Sequence, residues 1–234
     1  YLFELANIRE QDAWVHQAEP QAATEKAKKL VGMSVSRARL LEPLYDITHE
    51  VVQRALVIGG GLAGLTAALS FADQGFKATL VEQSTELGGT ARTLFYTEDG
   101  ANPAEYVRKL IQKVEKQPLI TVHKEAQVTS TTGSCGNFSS TISVKGESQS
   151  ISHGVVVTAT GGQEYQPAEH FYGQHPAVMT QKEFETFLVS KPERARQIKR
   201  ITMIQCVGSR EPDNMYCSRV CCTAAIKNSL KLKS

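Results

Sequence analysis

The first periodic stretch of the chain is helical. Ala27, Leu30, Val31, Val35, Ala38 and Leu41 recur at helical intervals on one stripe, with Lys28, Lys29, Arg37 and Arg39 elsewhere. This predicts an amphipathic helix over residues 21–42, closed by Pro43, whose four bases form a solvated face. From Arg54 the pattern changes. The apolar run RALVIG, the glycine turn GGLAG, the helical stretch LTAALSFADQG and a second apolar run KATLVE follow one another. That is a βαβ unit of about thirty residues, which implies a parallel sheet with a right-handed crossover.

A further helix is predicted over 103–117, with Asn102 as N-cap, Pro103 at N1 and Glu105 at N3 completing a capping box. Tyr106, Leu110, Ile111 and Val114 give it a buried face. Three β-like runs come next, ITVHKEAQV, FSSTISVKG and HGVVVTATGG, with TTGSCGN as a turn between the first two. Thr180 caps a short helix, QKEFETFLV, and RITMIQCVGS reads as a new strand. Strand–turn–helix at 54–74 is faintly echoed at 200–232. The expected organisation is a helical segment over 1–50, a Rossmann-like dinucleotide domain over 51–165, a connecting helical segment over 166–198 and the start of a second Rossmann-like unit over 199–234.

Composition is that of an ordinary globular protein, 41% hydrophobic and 21% charged, with 17 glycines as the informative excess. A net charge of +2 and the absence of any long basic run give no general pull toward nucleic acid. No apolar run approaches the about eighteen residues of a transmembrane helix. The N-terminus YLFELANIRE has neither a basic n-region nor a cleavage site, and the chain starts without Met and stops at KLKS within a helical pattern. It reads as an excerpt of a longer cytoplasmic protein. Five clustered cysteines do not form the even framework of an extracellular fold.

Candidate chemistry begins at the glycine loop Gly59-x-Gly61-x-x-Gly64. The first glycine turns the chain, the second admits a pyrophosphate against the backbone, and the third lets helix pack on strand. The helix start, with Leu62 and Ala63, offers free N–H groups to the phosphates. Glu82, beside Gln83, stands 23 positions after Gly59, where a carboxylate accepts hydrogen bonds from a ribose diol. A second glycine pair, Gly88 and Gly89, is followed by Thr90 and Arg92, and the buried strand VVVTATGG ends in Ala159, Thr160 and Gly161. Order and spacing of the three elements resemble flavoproteins of the thioredoxin-reductase-like, two-dinucleotide-binding type, which favours FAD over NAD. Val128, at the end of the run that follows the helix over 103–117, is placed with the cofactor residues.

Four cysteines lie within CVGSREPDNMYCSRVCC: Cys206, Cys217, Cys221 and Cys222. Cys217 and Cys221 share a helical face, and Cys206 closes the preceding apolar run. Four thiolates converging at a helix start suit an iron–sulfur cluster. Zinc usually shows C-x2-C knuckles, and redox disulfides usually C-x-x-C, neither of which is present, yet both remain open on spacing alone. A vicinal Cys221–Cys222 bridge is geometrically strained. Cys135 is an incidental thiol, and His153 and His170 are ordinary histidines.

Taken together, ELANIREQDAWVH, ATEKAKKLVGMSVSRARLLEPL, VIGGGLAGLTAAL, ELGG, VVVTATGG, MTQKEFE and CVGSREPDNMYCSRVCCTAAIKNSLKLK resemble the flavin-subunit (A-type) family of heterodisulfide reductase over nearly the full length. The resemblance implies an FAD- and iron–sulfur-containing oxidoreductase subunit, with Cys206, Cys217, Cys221 and Cys222 holding a 4Fe–4S cluster. It implies electrons from a hydrogenase or formate dehydrogenase iron–sulfur subunit, relayed by bifurcation to a disulfide-reducing partner resembling subunits B and C and to ferredoxin. No residue is an evident acid–base catalyst. A quinone-linked or non-bifurcating flavoprotein and a zinc-stabilised Rossmann binding module are the alternatives. One departure stands out: Asp12 occupies a position where relatives commonly carry cysteine.

Overall fold

The computed structural model describes every residue except Tyr1, Ile47 and Ser234. Its contacts divide the chain into two units, Tyr1–His49 and Glu50–Ser234.

The first unit holds a π-helical turn, Arg9–Ala13, and helix α1, Pro20–Ala38. Asn7 anchors the turn by accepting from the Glu10 N–H at 3.0 Å, and Arg37 pairs with Glu4 at 3.4 Å. Asp12 is buried in the turn, with Oδ1 lacking any hydrogen-bond partner. The expected apolar stripe of α1 buries nothing completely: no residue of the helix is buried, and Val31 and Val35 are exposed. Nor does the helix run to residue 42. Leu40 and Leu41 bond back only three residues, to Arg37 and Ala38, so the last turn tightens ahead of Pro43.

The second unit is built on a parallel sheet ordered β3-β2-β1-β7. Its strands are β1 (Arg54–Ile58), β2 (Lys77–Val81), β3 (Ile120–His123) and β7 (Val155–Thr158). Leu56 faces Thr79 on one side and Val156 on the other, and the strands are apolar on both faces, as a doubly covered parallel sheet requires. Ala55 and Val57 pack with Leu65, Ala68 and Ala72 of α2 (Leu62–Asp73) and with Val107, Leu110 and Val114 of α3 (Pro103–Lys116). Leu56 and Val81 point the other way, onto Ala126, Ile142 and Ile151. Those come from an antiparallel sheet of β4 (Ala126–Ser134), β5 (Asn137–Val144) and β6 (Glu147–His153). The α/β, Rossmann-like class read from the sequence is the observed one.

Several expected elements differ in detail. ITVHKEAQV is not one strand, because Glu125 adopts φ 54° and the chain leaves the parallel sheet there for the antiparallel one. TTGSCGN is mostly strand, and the turn is reduced to Cys135 and Gly136. The polar run forming β6 had no apolar alternation to announce it. At α3, Asn102 accepts from the Glu105 N–H at 3.1 Å, but the Glu105 carboxylate pairs with Lys109 at 2.8 Å, so only half of the expected box forms. The complete box is at α4 (Gln181–Ser190), where Thr180 and Glu183 cap reciprocally. A short helix α5 (Pro192–Ala195) follows. RITMIQCVGS forms no strand: residues 200–206 have no ladder partner, and a strand cannot exist without one. Helix α6 (Cys221–Lys233) then packs against α4.

Candidate functional site

The glycine loop joins β1 to α2, and three elements close on it. Gly59 has φ 105°, and a Cβ there would stand 2.2 Å from the Ala159 carbonyl oxygen, so only glycine lets β7 end against the loop. The Ala159 N–H donates to the Ile58 carbonyl at 2.7 Å, which fixes the ATG strand end in place. Gly64 is equally constrained, since its Cβ would meet the Gly59 carbonyl oxygen at 1.8 Å. The second glycine pair lies directly on the loop: Gly88 N–H donates to the Gly60 carbonyl at 2.7 Å, and Gly61 and Gly88 form a parallel bridge. A Cβ on Gly89 would approach the Gly61 Cα at 3.1 Å.

Gly61 differs from its neighbours. A Cβ built there meets nothing within 4 Å, and no side chain caps the N-terminus of α2. The helix start thus carries N–H groups without a side-chain cap beside unfilled space at Gly61, and its dipole favours an anion. Leu62 and Ala63 are exposed beside it, and Thr160 and Gly161 are exposed at the end of β7.

Glu82 directly follows β2 and is buried. Its Oε2 accepts from the Gly60 N–H at 2.6 Å, and its Oε1 accepts from the Ser84 N–H at 2.7 Å and from the Ser84 hydroxyl. Burial pushes its carboxyl up, but the hydrogen bonds from Ser84 and Gly60 outweigh this and hold it below the usual carboxylate range. An ionised carboxylate is thus fixed between the two loops. Gln83 is exposed next to it. Arg92 pairs with Glu86 and lays its side chain over Gly88, so the 3-10 turn Gly89–Thr93 is pinned at both ends. Val128 lies on β4 and packs against the Leu56–Ile142 core, beside a bulge in the ladder.

Gly60, Ser84 and Leu87 were missed in the sequence. A Cβ on Gly60 would sit 2.5 Å from Leu87 and 3.0 Å from Glu82 Oε2, so Gly60 is constrained along with Gly59, unlike Gly61. The GGG run was the available signal for Gly60. Ser84 stands two residues after Glu82, so its bonds to that carboxylate are local, and the E-x-S spacing was the available signal.

The cysteine segment is irregular from Cys206 to the start of α6. Cys206 has φ 61° and Arg219 φ 60°, both left-handed. The Arg219 N–H points at Cys217 Sγ at 3.4 Å. A hydrogen bond with Cys221 and its charge raise the Cys222 thiol, with smaller contributions from burial and from Cys206 and Cys217. Cys206, Cys217 and Cys221 all bear on Cys222, and four thiols are a donor set whose chemistry suits an iron–sulfur cluster. Among the described residues, however, no three or more His, Cys, Asp or Glu side chains already stand as a closed metal site. Cys135 is exposed in its hairpin turn. His153 is fully buried and bonds Ser140 at 2.8 Å, and His170 is exposed.

A parallel sheet whose first βα turn, acidic strand end and second glycine pair converge on an open helix N-terminus defines a dinucleotide-binding oxidoreductase fold. Residues 53–207 match the pyridine nucleotide-disulphide oxidoreductase family, and the chain belongs to it. That membership supports FAD as a cofactor.

The resemblance to the A-type subunits of heterodisulfide reductase is borne out among curated relatives. The chain is 32% identical over 326 aligned positions to the A-type subunit of the H(2):CoB-CoM heterodisulfide,ferredoxin reductase of Methanothermobacter thermautotrophicus, a match covering 100% of this chain and 49% of that protein. It is 43% identical over 141 positions to a protein of Archaeoglobus profundus that is likewise similar to the heterodisulfide reductase A-type subunits, covering 59% of this chain and 20% of that one. The chain spans about half the length of the first of these relatives. Among solved structures, the thioredoxin reductase of Streptococcus pyogenes aligns at 18% identity and a TM-score of 0.35, over 48% of this chain and 32% of that one. No helix among the described residues is long and apolar enough to cross a membrane.

Proposed function

We propose that this chain is the flavin- and cluster-binding part of a cytoplasmic heterodisulfide-reductase-type oxidoreductase subunit. The observation that carries the proposal is the convergence of Gly59, Gly88 and Ala159 on the open N-terminus of α2, with Glu82 held ionised between the loops. Gly59, Gly61, Leu62, Ala63 and Gly64 would receive the pyrophosphate of FAD, and Glu82 with Gln83 the adenosine ribose. Gly88, Gly89, Thr90, Arg92, Val128, Ala159, Thr160 and Gly161 would line the rest of the cofactor. Residues 51–165 form the FAD-binding domain in this reading, and 199–234 carry the cluster motif. Cys206, Cys217, Cys221 and Cys222 would hold a 4Fe–4S cluster.

When bound, these groups supply two-electron and one-electron redox chemistry, respectively. The chain's own contribution is placement. Backbone amides neutralise the phosphates, Glu82 orients the ribose, and the glycine contacts keep side chains out of the path. The proposed electron donor is a hydrogenase or formate dehydrogenase iron–sulfur subunit. The proposed acceptors are disulfide-reducing partners resembling subunits B and C, together with ferredoxin, with bifurcation between them.

Anaerobic purification with flavin and metal analysis tests this. One FAD and about four irons per chain are expected, and Cys217→Ser removes the iron while leaving the flavin. Absence of flavin, or zinc in place of iron, refutes the reading, and zinc points instead to a binding module. Flavin and iron with quinone as the only effective acceptor would replace the bifurcating complex by a quinone-linked relative.

A further inference from the structure

Helix α6 carries Cys221 and Cys222 in its first turn, yet hydrophobic burial does little to hold it. Its buried residues are Ala225, Lys227 and Asn228, while Ile226 and Leu230 are exposed. Two of the three groups that seat it are polar, and both are fully engaged. Lys227 Nζ lies 2.7 Å from Glu185 Oε2 on α4, with both side chains buried, and donates to the Tyr96 carbonyl at 3.0 Å. The same ammonium stands 5.0 Å from the centroid of the Tyr96 ring. Glu185 Oε1 accepts from the Phe95 N–H at 2.7 Å. The Tyr96 hydroxyl donates to Asn228 Oδ1 at 2.8 Å, and Asn228 Nδ2 donates to the Gln181 backbone and side-chain oxygens, each at 3.0 Å. Burial and the Glu185 charge push the Tyr96 phenol up to about 12, so it stays a donor.

Phe95 and Tyr96 are not arbitrary partners. They follow the 3-10 turn Gly89–Thr93, whose N-cap Gly88 bonds the Gly60 carbonyl of the glycine loop. Apolar contacts alone would let a helix slide or rotate, whereas paired directional bonds to one carboxylate, one carbonyl and one hydroxyl fix its register. A buried ion pair is a poor source of net stability and is best attested as a device for registry.

We infer that Glu185, Lys227, Tyr96 and Asn228 form a clamp that sets the cysteine-bearing helix in fixed register with the chain leaving the second glycine pair. Lys227 is its central positioning residue. The consequence for thiols and flavin rests on the function proposed above, but the clamp itself does not.

The test uses the anaerobically purified full chain. K227M leaves the Glu185 carboxylate buried without its cation. Amide hydrogen exchange in α6 and in Leu94–Thr97 is expected to accelerate together, on the order of 100-fold, while β1 and β2 keep their protection. The double variant E185Q/K227M has no orphan charge and keeps an acceptor for the Phe95 N–H, so it recovers most of that protection. The electron paramagnetic resonance spectrum of the reduced protein changes in K227M at unchanged iron content and returns in the double variant. Unchanged exchange, exchange altered in α6 alone, or loss spread equally through β1 and β2 overturns the clamp. Altered exchange with an unaltered resonance spectrum makes the pair a stability element and overturns the positioning role. Flavin and iron contents of the unsubstituted chain decide the functional reading separately, since their absence sinks that reading and leaves the exchange result to judge the clamp.

Discussion

Alanine at Gly59 and alanine at Gly61 should fail in opposite ways. At Gly59 the backbone has φ 105°, and the added Cβ would lie 2.2 Å from the Ala159 oxygen and 2.7 Å from its carbonyl carbon. Forcing a non-glycine residue into that conformation costs about 1–3 kcal/mol. Displacing the end of β7 adds an overpacking cost of about 1–3 kcal/mol. Against a typical net stability of about 5–15 kcal/mol, the sum lowers the melting temperature of the flavin-free protein by about 5–20 °C. Gly61 has φ −75° and ψ −174°, ordinary for alanine, and its Cβ meets nothing within 4 Å. Gly61→Ala therefore leaves the flavin-free melting temperature within about 3 °C of wild type. It places a methyl group where the proposed FAD pyrophosphate would lie, and in that reading FAD binding weakens by about 10- to 100-fold. Thermal unfolding of flavin-free protein and a fluorescence titration with FAD separate the two effects. If Gly61→Ala melts as early as Gly59→Ala, or binds FAD as tightly as wild type, the open-cradle reasoning is wrong.

Two further outcomes concern pH. Because the Glu82 carboxyl is held below its ordinary value, its stabilising contribution is present above the unfolded pKa and lost as pH falls through the folded one. Denaturant titrations of Glu82→Gln should lose part of the acid-side slope seen in wild type between about pH 5 and pH 3, and an unchanged slope refutes the assignment. His153 is lowered by burial, so the unfolded chain takes up its proton first and stability declines as pH drops below about 6.5. His153→Phe can keep the stack on Phe138, and Ser140 retains Thr131 at 2.7 Å. That variant should therefore show a flatter stability profile between about pH 6.5 and pH 5.

Local signals carried much of the site. The spacing of Gly59, Gly61 and Gly64 and the carboxylate at Glu82 could be placed from the sequence because each depends on residues within one βαβ unit. The caps at Asn102 and Thr180 were legible for the same reason, although Glu105 chose Lys109 over the second half of its box. The apolar stripe of α1 was real as a period and misleading as a forecast of burial, since periodicity states which residues share a face and not whether anything covers it. The run at 200–206 shows the same limit, because a strand exists only with a neighbour to pair with.

By itself, then, the sequence determined the parallel α/β class, the glycine elements and the four-thiol segment, all written in short-range spacing. Only the tertiary structure decided that the chain leaves the parallel sheet at Glu125 and that Gly60 joins Ser84 in holding Glu82. It alone placed Lys227 against Glu185 and Tyr96. Apart from the local Ser84–Glu82 bonds, those contacts join residues far apart along the chain. Bringing them together costs loop-closure entropy that no local pattern encodes, so they are selected only when the whole core packs.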